Sequence, residues 1–93
     1  MAHRKDINMP ELSRFYGIVI TMYPDDHNPP HFHVEYNGRK ALINIEKGTF
    51  IKGSIPIKEA RLVLAWYELH KDELWANWSK LKSNNGYDKI NPL

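Results

Sequence analysis

Hydrophobic and polar positions keep one period over short runs of this chain and then switch, and each switch marks the edge of an element. From Phe15 to Tyr23 (FYGIVITMY) both alternating faces are largely apolar, with Phe15, Val19 and Tyr23 on one and Tyr16, Ile18, Ile20 and Met22 on the other. β-Branched and aromatic residues dominate the run, which predicts a central strand covered on both sides. Pro24 to Pro30 (PDDHNPP) then stacks turn formers and closes with two prolines, so a loop interrupts the sheet. His31 to Tyr36 alternates, placing Phe32, Val34 and Tyr36 toward a core and His31, His33 and Glu35 on the opposite face. Asn37-Gly38 supplies the two positive-φ positions of a type I′ hairpin, and Arg39 to Glu46 returns as a third strand with Ala41, Ile43 and Ile45 inward. Lys47-Gly48 turns into a short fourth strand, Thr49 to Gly53.

Ile57 to Ser83 contains no Gly or Pro, follows Ser54 and Pro56, and ends at Asn84-Asn85-Gly86, which are helix start and stop signals. The chain therefore predicts an α+β fold, a four-stranded antiparallel β-meander followed by a long or broken C-terminal helix. A continuous helix of that length runs about 40 Å, whereas a domain of this size has a radius of gyration of about 12 Å. Ile57, Ala60, Val63, Leu64, Tyr67, Leu74, Trp75, Trp78 and Leu81 fall on one broad stripe, with Lys71 in its middle. A lysine on a buried seam predicts a kink or division near His70 to Asp72. Leu62, Ala65, Trp66 and Leu69 form a second patch on the opposite side of the first half. The second helical half folding back, a second copy of the chain or a different protein would each cover it, and Leu62, Trp66 and Leu69 are the expected partner surface. Trp66, Trp75 and Trp78 with Tyr67, at helical spacing beside leucines, read as core or protein interface rather than as a base-stacking platform.

At 93 residues there is chain enough for one core. Residues 1–13 carry mixed charge without a period and read as a flexible leader, which leaves residues 14–93 as a single α+β domain. A chain this short buries only about 60–65% of its unfolded surface, so a homo-oligomer is one way to add stability. Cysteine is absent, excluding a disulfide framework and a thiolate metal site. There is neither a signal-peptide core nor an apolar span of about 20 residues, so no membrane role is expected and the expected location is cytoplasmic. Residues 1–50 hold six basic and six acidic side chains and residues 51–93 hold seven and five. Without a basic half, nucleic acid is not indicated as a partner.

The densest polar cluster is Asp25, Asp26, His27, His31 and His33, at one strand-loop-strand junction. Side chains at i and i+2 of a strand share a face about 6.5–7 Å apart, so His31 and His33 can reach one small ligand or metal. His27 makes the expected metal set His27, His31 and His33, and an aspartate is the alternative third donor. Asp25, Asp26 and His27 otherwise serve the ligand or the turn. The spacing matches no common zinc signature, so no cofactor is expected, with a divalent metal as the alternative. Two imidazoles can also divide general acid and base roles on a phosphodiester, which makes His31 and His33 the candidate catalytic pair, with Arg39 or Lys40 steadying the phosphate charge. The plain alternative keeps these histidines as polar groups on an exposed sheet face. Residue chemistry alone leaves open whether the protein is an enzyme.

Met9 to Ile20 (MPELSRFYGIVI), Asp25 to Val34 (DDHNPPHFHV), Arg61 to Trp66 (RLVLAW) and Glu73 to Trp78 (ELWANW) together resemble the prokaryotic domain-of-unknown-function family numbered 4160. The resemblance covers residues 9–93, and the family's usual opening makes residues 1–8 an added leader. It implies a bacterial protein in a two-gene pair with a companion from the unknown-function family numbered 2442, an arrangement similar to toxin and antitoxin modules. The leading expectation is therefore a small cytoplasmic protein of a toxin-antitoxin-like pair that acts by protein binding and carries a candidate histidine site. The alternative is a small nuclease or metal-binding protein that uses His27, His31 and His33. The resemblance supplies no catalytic residues.

Overall fold

Tyr16 and Gly17 sit at φ 49° and 78°, the left-handed backbone that a two-residue hairpin requires at both central positions. The run from Phe15 to Tyr23 is therefore two strands rather than one, and the sheet has five strands rather than four. The computed structural model describes residues 10–93. They form β1 (Glu11–Phe15), β2 (Ile18–Thr21), β3 (His31–Tyr36), β4 (Arg39–Asn44), β5 (Phe50–Gly53) and a helix, α1 (Ile57–Lys82). The strands lie side by side in chain order, all antiparallel. The α+β class, the antiparallel meander and the C-terminal helix agree with the sequence pattern. The leader does not begin the fold where expected: Glu11 to Ser13 already belong to β1, and Leu12 is fully buried. Pro10 is buried just ahead of β1, its carbonyl accepting from Met22 N–H, and residues 1–9 of that leader lie outside the described residues.

One face of the sheet carries Ile18, Ile20, Phe32, Val34, Ala41 and Ile43, all buried. Helix α1 covers this face. Trp66 lies 5.5 Å from the ring of Phe15 and 6.0 Å from that of Phe32, and the Tyr67 hydroxyl donates to the Ile45 carbonyl at 2.5 Å. The 26 residues of α1 account for about 39 Å at helical rise, and the longest extent of the molecule is 38 Å. The helix thus runs the length of the molecule, and its second half does not fold back over its first. It is bent where Lys71 predicted a break: His70 leaves helical geometry at φ −124°, ψ 21°. Beside that bend the Lys71 ammonium donates to the Glu46 carbonyl (3.0 Å), which gives a cation on the apolar seam a partner.

The expected second patch does not exist as a continuous surface. Trp66 is fully buried and Leu62 half-buried, while Leu69 remains 69% exposed. Trp66 belongs to the core because the tail after α1 closes over it. The indole N–H donates to the Asn91 carbonyl (2.8 Å), and Ile90 N–H donates to the Leu12 carbonyl (2.8 Å). Asn77 exchanges hydrogen bonds with the Asp88 backbone, its amide donating to the carbonyl (2.9 Å) and its oxygen accepting from the N–H (2.7 Å). This cover comes from the chain's own last residues, not from the sources that the helix pattern offered.

Candidate functional site

The loop between β2 and β3 is held at both ends. Tyr23 and Asp26 exchange hydrogen bonds: Asp26 N–H donates to the Tyr23 carbonyl (3.2 Å), and Tyr23 N–H donates to Asp26 Oδ2 (3.1 Å). At the other end Ile45 N–H donates to the Pro30 carbonyl (3.0 Å), so the residue that follows β4 fixes where β3 begins. The Asn28–Pro29 peptide between them is cis. The Lys82 ammonium, from the last turn of α1, donates to the carbonyls of Pro24 (3.4 Å) and Asp26. The turn carrying Asp26 is thereby tied to the helix end as well as to the sheet.

Against this anchored loop β3 sets His31 and His33. His31 is buried, and its ring lies 5.2 Å from that of His33 and 5.6 Å from that of Trp78. Lys82 lies 4.4 Å from the Trp78 ring centroid, closing this side. His31 Nδ1–H donates to the Pro29 carbonyl (2.8 Å), which leaves Nε2 with its lone pair, 3.6 Å from Asp26 Oδ2. His33 Nε2–H donates to the Asp26 carboxylate, at 3.0 Å to Oδ2 and 3.3 Å to Oδ1. Tyr23 meets the His33 ring edge-on at 4.7 Å. Burial pushes the His33 pKa down, and the charges of His31 and Lys40 act the same way, while the Asp26 carboxylate pulls it back in part.

One donor atom each from Asp26, His31 and His33 lies within 4.8 Å of the others. Zn–N bonds of about 2.0–2.1 Å in a tetrahedron imply donor separations of about 3.3–3.4 Å, so the two Asp26 distances already bracket what an ion needs. Two imidazoles and a carboxylate suit zinc, iron, nickel or cobalt better than magnesium or calcium. The Pro29 carbonyl on His31 Nδ1 is the outer hydrogen bond that commonly fixes the tautomer of a metal-binding imidazole.

The convergent set differs from the expected one. His27 is exposed on the rim of a cavity of about 430 Å³, and Asp26 occupies the third position instead. Asp25 is also exposed on that rim. Leu42 and Ile51 line the cavity beyond the histidines, on the sheet face away from α1. Of the two expected phosphate-steadying cations, Lys40 shares a depression with His33, while Arg39 pairs with Tyr36 and does not. Trp78 and Lys82 carried no sign of this role in the sequence, since both sit on a helix about fifty residues away. Their approach depends on the length of α1 and the bend at His70.

A five-stranded antiparallel sheet backed by one bent helix, with two histidines and an aspartate converging at a strand entry, defines a small α+β domain with a candidate metal-ligating centre. A profile of the domain of unknown function DUF4160 matches residues 17–79, and the chain belongs to that family. No curated protein and no solved structure matches it. The matched span includes Asp26, His31, His33 and Trp78 but not Lys82 or the C-terminal tail. No helix among the described residues is long and apolar enough to cross a membrane.

Proposed function

We propose that the domain binds a divalent transition metal through Asp26 Oδ, His31 Nε2 and His33 Nε2 and works through that centre. The observation that carries this reading is the convergence of the three donor atoms within 4.8 Å, with His31 already held in the ligating tautomer. Three protein donors leave positions open for water or a substrate, as catalytic sites do and closed structural sites do not. His33 ligates through Nε2 once its proton sits on Nδ1, and binding weakens in acid because protonated imidazole is not a ligand.

The test is thermal unfolding with Zn²⁺, Co²⁺ or EDTA, on wild type and on Asp26→Asn with His31→Ala and His33→Ala. At a free metal concentration of 100 Kd the native state gains about 2.7 kcal/mol, a rise of about 10–20 °C for a domain of this size. The rise is expected in wild type alone. No rise in wild type, or an equal rise in the triple variant, overturns the reading.

A cytoplasmic protein of a toxin-antitoxin-like pair, bound to a companion from the unknown-function family numbered 2442, is the second reading. Leu69, 69% exposed beside the bend in α1, supports it as an apolar contact for a partner. Leu69→Glu is then expected to weaken binding to the product of the adjacent gene at least ten-fold without changing the fold, and unchanged affinity would count against this surface. Trp66→Glu cannot serve the same purpose, because a charge placed in the core unfolds the domain.

A further inference from the structure

We infer that the ligand of this centre is a phosphate ester whose phosphoryl oxygens reach from the metal held by Asp26, His31 and His33 to the ammonium groups of Lys40 and Lys52. The inference rests on the metal reading and adds the chemical class of the ligand. A second depression of about 340 Å³ adjoins the metal cavity on the open sheet face, and His33 and Leu42 line both. Lys40 and Lys52 line the second one. The strand register explains why: Leu42 is paired with His33 on one side and with Lys52 on the other, and Lys40 lies two residues from Leu42 on the same face. Same-face neighbours along a strand are about 6.5–7 Å apart and adjacent strands about 4.8 Å, within the reach of a lysine side chain.

Both lysines are exposed, and among the described residues neither has a carboxylate within 4.0 Å. Glu35 lies directly across from Lys40 in the register yet forms no ion pair with it. Two unneutralised cations beside an open metal position favour an anion with several oxygens. A phosphoryl group can give one oxygen to the metal and others to the ammonium groups. Leu42 and Ile51 beside it offer apolar surface to the organic part of an ester. The combined space is in the range of small-molecule sites, about 300–1,000 Å³.

The experiment is isothermal titration calorimetry on the 93-residue chain, first with Zn²⁺ and then, on Zn²⁺-loaded protein, with AMP and separately with a ten-nucleotide RNA. Wild type is compared with the Lys40→Ala, Lys52→Ala double variant, and far-UV circular dichroism confirms that the variant is folded. The variant is expected to bind Zn²⁺ within about two-fold of wild type and the phosphate probe about ten-fold more weakly. Binding of AMP identifies a small ester as sufficient, whereas binding of the RNA alone identifies a strand; either supports the phosphoryl class. Normal Zn²⁺ binding with no binding of either probe overturns this inference and leaves the metal reading intact, as does equal probe affinity in the variant. No binding of Zn²⁺ overturns both.

Discussion

Replacing Trp66 by Ala separates a core role for this indole from a partner-surface role. Trp66 has no exposed surface, touches Phe15 and Phe32 on two different strands, and gives its N–H to Asn91. Truncating a large buried aromatic to Ala costs about 3–5 kcal/mol, because the transfer energy is lost and the cavity collapses only in part. The Asn91 carbonyl adds little to that, since Asn91 is exposed and water replaces the indole. A domain of 93 residues has about 5–14 kcal/mol in total, so the variant sits near the edge of folding. Trp66→Phe keeps a ring against Phe15 and Phe32 and gives up the N–H, an expected loss of about 1–2 kcal/mol. Leu69→Ala, three residues on and exposed, is expected within about 0.5 kcal/mol of wild type. Urea unfolding followed by far-UV circular dichroism gives all three values by linear extrapolation. A Trp66→Ala loss below about 1 kcal/mol, or a loss no larger than that of Leu69→Ala, would refute the assignment of Trp66 to the core.

Two further predictions concern the sheet and its titration. His33 has its pKa lowered below the model-peptide value of 6.5, chiefly by burial, with Asp26, His31 and Lys40 as the charged groups around it. The folded state therefore binds this proton less readily than the unfolded chain. The stability it contributes is fully present above pH 6.5 and is lost as pH falls through the lowered value. An NMR titration of the metal-free protein that puts the His33 midpoint at or above 6.5 would reverse that sign. Gly53 has φ +73°, and an added Cβ would lie 2.2 Å from the Lys40 carbonyl oxygen, whereas at Gly38, φ +80°, nothing lies within 4 Å. Gly53→Ala is thus expected to cost about 1–3 kcal/mol more than Gly38→Ala, the difference being the clash rather than the backbone angle; equal losses in urea would show that β5 can move away.

Where the pattern was local, the sequence was legible. Asn37-Gly38 marked its hairpin because asparagine and glycine tolerate positive φ, and the alternation of β3 and β4 follows from one covered and one open face. Tyr16-Gly17 escaped because a tyrosine seldom takes φ near 50°, so the residue that turns the chain also looked like the middle of a strand. The bend at His70 was legible from Lys71 alone, since a cation on an apolar seam needs either a partner or a change of direction, and here it has both. The burial of Trp66 was not legible in that way. Helical periodicity assigns faces relative to one sheet, whereas this indole is enclosed by a sheet in front and a tail from twenty-five residues further along the chain.

The candidate site divides along the same line. Period two placed His31 and His33 on one face, and the loop composition brought acidic residues close, but spacing could not choose between His27 and Asp26 as the third donor. That choice is made by backbone geometry: the exchange between Tyr23 and Asp26 turns the carboxylate toward β3, and Lys82 holds the Asp26 carbonyl from the far end of α1. The helix therefore does more than cover the core. Its second half buries Leu74, Trp78 and Leu81 in the same core, and there Trp78 packs on His31 and the Lys82 cation sits against backbone oxygen rather than against the carboxylate. The Asp26 carboxylate thus faces the two histidines while Oδ2 also accepts the Tyr23 N–H, and an ion shared by the three needs the His33 proton moved from Nε2 to Nδ1. One helix that buries apolar side chains along both of its halves, from Val63 and Trp66 to Leu74 and Leu81, is long enough to bring a distant lysine and tryptophan to the mouth of a loop as well.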